Sequence, residues 1–239
     1  MTHNWDPKKY AELVEGNLDA TFRKYMQDEI RAILNVENRH QRTFVDIGAG
    51  YGRILPYLES AGQVIAVEMD ADMFRELERR ATMYGNAIAI QGDAKNLDEL
   101  LQQQRLVNPV VMILQNTLGT VTGDWRNLLF QAVAVAKANR GDILLSIFCQ
   151  EALADWGIDF YRSLEEMVGE IDNELTQTDA GIFVSKTGYV SKWWTAGERE
   201  ELRKMIGGKM LQEIGTGAYK LFHAVAGIPL RDEEVPKTC

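Results

Sequence analysis

The sequence predicts an α/β protein built on a doubly wound, mostly parallel sheet, and three observations carry that prediction. Short apolar runs alternate with amphipathic ones between residues 43 and 148, a row of glycines follows the first strand, and two closing apolar runs lie too close together for a crossover. Strands joined by helical crossovers are parallel and covered on both faces. The closing pair is antiparallel.

Element by element, Asp6 is an N-cap with Pro7 at the first helical position. Leu13, Val14, Leu18, Phe22, Tyr25, Met26, Ile30, Ile33 and Leu34 follow at helical spacing. This predicts one helix, or two jointed near Gly16, and assigns residues 1–40 to a helical lid. TFVDI (43–47) is the first strand, followed by a helix from about Gly52 that Pro56 bends without breaking. QVIAVE (63–68) precedes a helix from Asp70 to Gly85, AIAIQ (87–91) precedes NLDELLQQQ, PVVMIL (109–114) precedes DWRNLLFQAVAVAKAN, and DILLSIF (142–148) ends the series. Residues 158–176 read as helical, and GIFVSKT and YVSKWWT as two strands meeting at Gly188. Thr195 and Glu198 form the capping box of a helix to about Ile206. KMLQEIG and AYKLFHAVAGI form a hairpin around Gly217. No repeat or linker divides the 239 residues, so one domain is expected. Its parts are a cofactor-binding half over 41–149, a substrate-side insertion over 150–195, a final helix and hairpin over 196–228 and a tail over 229–239.

Composition narrows the function classes. A 46 % hydrophobic content supports a real core. The formal charge of -9 repels phosphate backbones, so nucleic acid is not an expected partner. No run approaches the roughly 18 apolar residues of a membrane span, and MTHNWDPKKYAEL has no apolar signal region. A cytoplasmic location without membrane contact is the expectation. Cys149 and Cys239 belong to no C-x-x-C pair and read as reduced thiols, so no metal site is expected. His3, His40 and His223 read as structural.

The glycines Gly48, Gly50 and Gly52 raise the question of a cofactor, since nicotinamide, flavin and S-adenosylmethionine are all held at such turns. The dinucleotide fingerprint G-x-G-x-x-G has its third glycine where this chain has Arg53. With Asp46 ahead of them, the glycines instead read D-x-G-x-G-x-G. That pattern resembles the first motif of the class I S-adenosylmethionine-dependent methyltransferases. The resemblance covers roughly residues 43–227 and implies a seven-stranded sheet with an antiparallel last strand. It also implies S-adenosylmethionine as cofactor and S-adenosylhomocysteine as product. Glu68 ends the second strand, where a carboxylate suits two ribose hydroxyls. By the same resemblance Met69 lies along the adenine, and Asp93 accepts from the adenine amino group with Ala94 as its backbone companion. Ala49 and Gln115 complete the cofactor set. Glu68 also fits an ordinary strand-end charge, and Asp93 also fits a cap for a helix near Asn96. Carboxylates at Asp46, Glu68 and Asp93 suit a cofactor carrying a sulfonium and an ammonium but no phosphate. Arg53 fits either a partner for the cofactor's carboxylate or a surface cation, with the surface preferred.

After the fourth strand, ILQNTLGTV lacks the Asp/Asn-Pro-Pro-aromatic motif of enzymes acting on base amino groups. It also lacks the paired glutamates of protein arginine enzymes and the aspartates of metal-dependent catechol enzymes. Asn116 with Gly119 resembles small-molecule methyltransferases, notably those acting on amines, and makes Asn116 the candidate for positioning substrate. Nitrogen is preferred over oxygen as the acceptor. In-line displacement at an activated carbon needs orientation and desolvation more than a base, so no essential catalytic residue is expected. Tyr10, Tyr25, Trp156, Tyr161 and Trp194 are assigned to the pocket walls, although the same aromatics suit packing of helices on the sheet. Two other readings stay open: a nicotinamide-dependent oxidoreductase, and a non-catalytic S-adenosylmethionine-binding protein.

Overall fold

The computed structural model describes residues 5–16, 19–121 and 123–226. His3, Leu18, Cys239 and the expected tail 229–239 lie outside the described residues.

The chain opens with α1 (Pro7–Glu15) and α2 (Ala20–Leu34). Asp6 caps α1 by accepting from the amides of Lys8 and Lys9, and Asp19 caps α2 through Phe22 N. Strands and helices then alternate: β1 (Thr43–Ile47), β2 (Gln63–Glu68), α3 (Ala71–Ala81), β3 (Ala87–Gln91), α4 (Leu97–Leu101), β4 (Val110–Ile113), α5 (Thr117–Thr120), α6 (Trp125–Ala138) and β5 (Asp142–Phe148). An insertion carries α7 (Ile158–Ser163), α8 (Glu165–Val168) and a two-stranded hairpin of β6 (Ile182–Val184) and β7 (Val190–Lys192). The chain continues through α9 (Ala196–Ile206), opened by the Thr195–Glu198 capping box, into β8 (Lys209–Gly215) and β9 (Tyr219–Val225).

The sheet is seven-stranded, in the order β3-β2-β1-β4-β5-β9-β8. The first five strands are parallel, and β9 runs antiparallel between β5 and β8. After β1 the chain winds outward to β2 and β3, then returns to place β4 on the other side of β1. That reversal opens a crevice at the carboxyl ends of β1 and β4, where such sheets bind ligands. Both faces are covered. Val45, Ile65, Val111 and Ile143 pack under α4, α6 and α9, whereas Phe44, Val64, Val110 and Leu144 pack under α2 and α3.

Four sequence expectations change. The helix expected from Gly52 is a series of turns with one turn of 3₁₀ helix at Leu55–Leu58. Pro56 has no N–H for the helical ladder and its ring crowds the preceding turn, so a break replaces the expected bend. The helix after β2 stops at Ala81, four residues short of Gly85, and the helical stretch expected over 158–176 ends at Val168, where Gly169 turns the chain at φ +90°. Finally, α2 is a layer of the fold. Ala32 and Ile33 lie in the sheet-face core, and Phe22 and Tyr25 lie in an aromatic core above the carboxyl edge. Only α1, with Val14 as its one buried residue, covers the edge without being built into it.

Candidate cofactor and acceptor site

The glycine turn follows directly from β1. Gly48, Gly50 and Gly52 have φ of +69°, +56° and +83°, a region that side chains rarely enter. A methyl on Gly48 would stand 2.5 Å from Thr117 Cγ2, so this glycine lets β1 and β4 approach at the crevice. A methyl on Gly50 would meet nothing within 4 Å, so the open side of the turn lies there.

Glu68 is 8 % exposed and fixes this turn: its Oε2 accepts from Gly50 N and its Oε1 from Asp70 N, both at 2.8 Å. Burial raises its carboxyl above the usual range while those amides oppose the shift. Two of its lone-pair positions are thus engaged, which leaves acceptor capacity toward a ligand. Met69 stands beside it at 64 % exposure, and Asp93 is half-buried after β3. The Oδ1 of Asp93 accepts from Lys95 N at 3.0 Å, so it caps the turn at Ala94, as the alternative reading had it, with its other oxygen 3.8 Å from Lys95 Nζ. Ala49 and Ala94 are buried and support the turns from below.

Arg53 overturns the surface preference. Its side chain is only 10 % exposed, and Nη2 is paired with Glu29 Oε2 at 2.5 Å. Its Nη1 is buried and has no hydrogen-bond partner among the described residues. Asp46 lies nearby at 4 % exposure, and burial pushes its carboxyl up to about 7, with Arg53 drawing it down and Glu29 and Glu68 pushing it up. An unpaired guanidinium N–H costs free energy unless a ligand or water meets it.

Glu29 is the residue that sequence reasoning missed. Its Oε1 accepts from Gln115 N at 2.7 Å and from the Ser146 hydroxyl. Tyr25 OH accepts from Asn116 N at 3.0 Å and shares a 2.7 Å hydrogen bond with Ser146. Gln115 and Asn116 both have positive φ, 51° and 56°, and these bonds from α2 hold that strained turn at the end of β4. The available signal was a carboxylate inside the apolar stripe of α2.

The substrate-side residues divide. Asn116 does not face a pocket: its Nδ2 donates to Ser191 Oγ and Lys192 O, and its Oδ1 accepts from Phe148 N and Trp194 Nε1. Tyr25 and Trp194 are fully buried struts rather than walls, and Trp156 is tied to α2 through Asp19. Tyr161 is likewise fully buried, stacked on Phe183 with its OH accepting from Trp193 Nε1, which leaves Tyr10, half-buried in one cluster with Trp5 and Tyr189. Cys149 is buried and its thiol is pushed up to about 11, which makes it no nucleophile. His223 hydrogen-bonds Asp142 in the sheet. The Glu29 and Tyr25 bonds close the space between α2 and the end of β4. A cleft of about 780 Å³ lies between α1 and α3.

No protein-family model and no curated protein matches this chain in sequence. Solved structures do match in shape. Magnesium protoporphyrin IX methyltransferase from Synechocystis PCC 6803, with S-adenosylhomocysteine bound, superposes with a TM-score of 0.60 at 12% identity over 92% of this chain and 94% of that one. The 1,6-didemethyltoxoflavin-N1-methyltransferase of Burkholderia thailandensis, with its substrate and S-adenosylhomocysteine bound, gives 0.54 at 16% identity over 92% and 89%. The CcbJ methyltransferase of Streptomyces caelestis gives 0.55 at 16% identity over 83% and 89%. The chain has the class I S-adenosylmethionine-dependent methyltransferase fold. Within this fold the dinucleotide reading has little left, because no helix N-terminus follows the glycines to receive a pyrophosphate. Among the described residues no helix is long and apolar enough to cross a membrane.

Proposed function

We propose that the chain is a methyltransferase that uses S-adenosylmethionine to methylate a small molecule, at an amine nitrogen in preference to an oxygen. The observation that carries this reading is the buried, unpaired Nη1 of Arg53 beside the Asp46 carboxylate, at a glycine turn left open at Gly50. A guanidinium N–H and a carboxylate side by side suit an α-amino acid, the acidic side meeting its ammonium and the basic side its carboxylate. Glu68 would accept from the ribose hydroxyls, and Met69 and Asp93 would border the adenine. When bound, S-adenosylmethionine supplies a methyl group on a sulfonium, which an acceptor lone pair takes while the sulfur keeps the electron pair of the broken bond.

The protein then has to hold the acceptor, exclude water and leave its nitrogen unprotonated. Tyr10 lies close enough to Glu68, Glu29 and Arg53 to feel their charge, and burial pushes its phenol up to about 12. It is therefore a neutral hydroxyl at physiological pH, a hydrogen-bonding wall and not a base. With Tyr10 unable to take a proton from an acceptor hydroxyl, an amine that arrives unprotonated is the better fit.

Calorimetry with S-adenosylhomocysteine tests the reading. The wild type should bind saturably, and Gly50→Val, which puts a branched side chain into the open side of the turn at φ +56°, should bind at least about tenfold more weakly. Equal binding by the two proteins would remove the basis of the assignment.

A further inference from the structure

A single carboxylate, Glu29, stands where four parts of the fold meet. It is fully buried on α2, and its two oxygens serve different partners. Oε2 pairs with Arg53 Nη2 at 2.5 Å, just past the glycine turn that follows β1. Oε1 accepts from Gln115 N at 2.7 Å, on the turn after β4, and from the Ser146 hydroxyl on β5.

Donor counting fixes the direction of the bonds around it. Ser146 has one hydroxyl proton, and a carboxylate paired with a guanidinium can only accept, so that proton points to Glu29. Ser146 Oγ then accepts from Tyr25 OH at 2.7 Å and from Gln115 N at 2.9 Å. Tyr25 OH in turn accepts from Asn116 N at 3.0 Å. The result is a chain of donors running from the Asn116 amide through Tyr25 and Ser146 into Glu29, each bond polarised by the next. Burial, with the charge of Glu29 behind it, raises the Tyr25 phenol well above its usual range, so the proton this chain needs stays in place. The far end of the chain reaches the insertion, because the Asn116 side chain donates to Ser191 Oγ at 3.2 Å and to Lys192 O at 3.0 Å on β7.

Arg53 is the near end. Its Nη2 is taken by Glu29, and its Nη1 is buried without a hydrogen-bond partner among the described residues. A planar guanidinium held on one side presents its remaining N–H groups in a fixed direction. An anionic group that meets Nη1 competes with Glu29 for the same positive charge, and leaves more of the Glu29 charge to its Oε1 partners.

We propose that Glu29 is a positioning residue that couples the amino-acid end of the cofactor, through Arg53, to the turn at Gln115 and Asn116 where the insertion is anchored. The proposal rests on the methyltransferase reading above and adds how cofactor occupancy is passed to the acceptor side. A cofactor carboxylate at Nη1 tightens the bonds to Gln115 N and Ser146, and by reciprocity a tightened turn strengthens cofactor binding. Both residues of that turn have positive φ, so it depends on these bonds to keep its shape. A ligand with the nucleoside but no amino-acid end leaves the turn as it is.

The test compares S-adenosylhomocysteine with 5′-methylthioadenosine, which keeps the nucleoside and the thioether and lacks the amino-acid end, on the full chain. In wild type, S-adenosylhomocysteine should bind at least about tenfold more tightly and slow hydrogen exchange at the Gln115 amide, whereas saturating 5′-methylthioadenosine should leave that amide within about twofold of the free protein. Glu29→Gln keeps the shape, but an amide has one acceptor oxygen, so its NH₂ faces either Arg53 or the Gln115 N–H. Its affinity for S-adenosylhomocysteine should fall at least about tenfold, its affinity for 5′-methylthioadenosine should stay within about twofold, and the slowing at Gln115 should vanish. Arg53→Met should show the same signature, and adding Glu29→Gln to it should cost less than about twofold more, because Glu29 acts on the ligand through Arg53. Should a single variant fold poorly, the double variant, which removes both charges of the buried pair, decides: saturated with S-adenosylhomocysteine, it should show no slowing at Gln115. Equal weakening of both ligands by Glu29→Gln would make Glu29 structural only and overturn the proposal. So would protection of Gln115 that 5′-methylthioadenosine produces as well, or that survives in the double variant. A wild type that binds the two ligands equally overturns the coupling and leaves the cofactor assignment standing, whereas one that binds neither overturns both.

Discussion

Asn116 holds four hydrogen bonds with its side chain amide, and that commitment defines what its removal should do. Asn116→Ala leaves Phe148 N and Trp194 Nε1 as buried donors, each worth about 1 to 3 kcal/mol when unmet. Urea unfolding should therefore show a loss of about 2 kcal/mol or more, with S-adenosylhomocysteine affinity of the folded protein changed less than twofold. A stable variant with a selectively weakened acceptor would return Asn116 to the substrate. Glu68 sits at the opposite extreme. Glu68→Ala removes the acceptor of Gly50 N and Asp70 N together with the proposed ribose contact, so cofactor affinity should fall at least about tenfold. Asp46 sets a pH dependence. Its folded-state value near 7 lies above the unfolded value of roughly 4, so the native state binds more protons between those limits and loses stability as pH rises through that window. Asp46→Asn removes the buried charge. It should be more stable than wild type at pH 8 by at least about 1 kcal/mol, the gain fading toward pH 4. Cofactor affinity should run the other way in wild type, strengthening as the Asp46 carboxylate ionises, and this slope should be absent in the variant.

At the scale of elements, α1 and α2 part company. α2 is fastened by buried charge: Glu29 to Arg53 and Gln115 N, and Asp28 to Tyr219 OH. Glu29→Ala would strand the Arg53 guanidinium in the interior at a cost of roughly 3 to 5 kcal/mol, which thermal unfolding would register directly. α1 is held mainly by Val14, the 2.8 Å hydrogen bond from Tyr51 OH to Glu15, and edge contacts of Tyr10 with Tyr51. Amides of α1 should exchange quickly with solvent and slow when S-adenosylhomocysteine is added, while those of α2 stay protected throughout. Equal behaviour of the two helices would deny α1 any part in closure. The strands of the sheet were legible because β1, β2, β4 and β5 are nearly continuous apolar runs, the mark of strands buried on both faces. The N-terminal stripe was harder. Its periodicity indicated helix correctly, yet Leu34 is 42 % exposed while Asp28 and Glu29 are buried. Hydrophobicity alone misreads a helix whose inward face carries partners for polar groups across the fold. The aromatic walls failed for the same reason: Tyr25 and Trp194 bury their rings but spend their polar ends on backbone turns and on Asn116, which no spacing reveals.

For the molecule as a whole, α1 is separable from the folding unit. Removing residues 1–16 leaves both sheet faces covered by α2, α3, α4, α6 and α9, so the truncated protein should unfold cooperatively within a few degrees of wild type. It should bind S-adenosylhomocysteine at least about tenfold more weakly, since Tyr10 and the Glu15–Tyr51 bond go with the deletion. A truncated chain that binds normally would mean the glycine turn is organised without its cover.

The position of β9 has its own consequence, in the order of synthesis. Among the described residues β9 is the last strand made, yet it lies inside the sheet, pairing with β5 on one side and β8 on the other. A ribosome that has released everything through β8 has made a chain whose β5 edge is long, apolar and unpaired, with β8 unable to dock until its partner emerges. Such an edge is a template for intermolecular pairing, and closing it requires contacts far apart along the chain, which form slowly. Slow translation beyond Gly215 would thus lengthen the aggregation-prone interval, whereas β1 to β5 can register as they appear. Arg42 and His223 both meet Asp142 at the base of β5, so the finished sheet is latched by one residue from its start, one from its middle and one from the strand that arrives last.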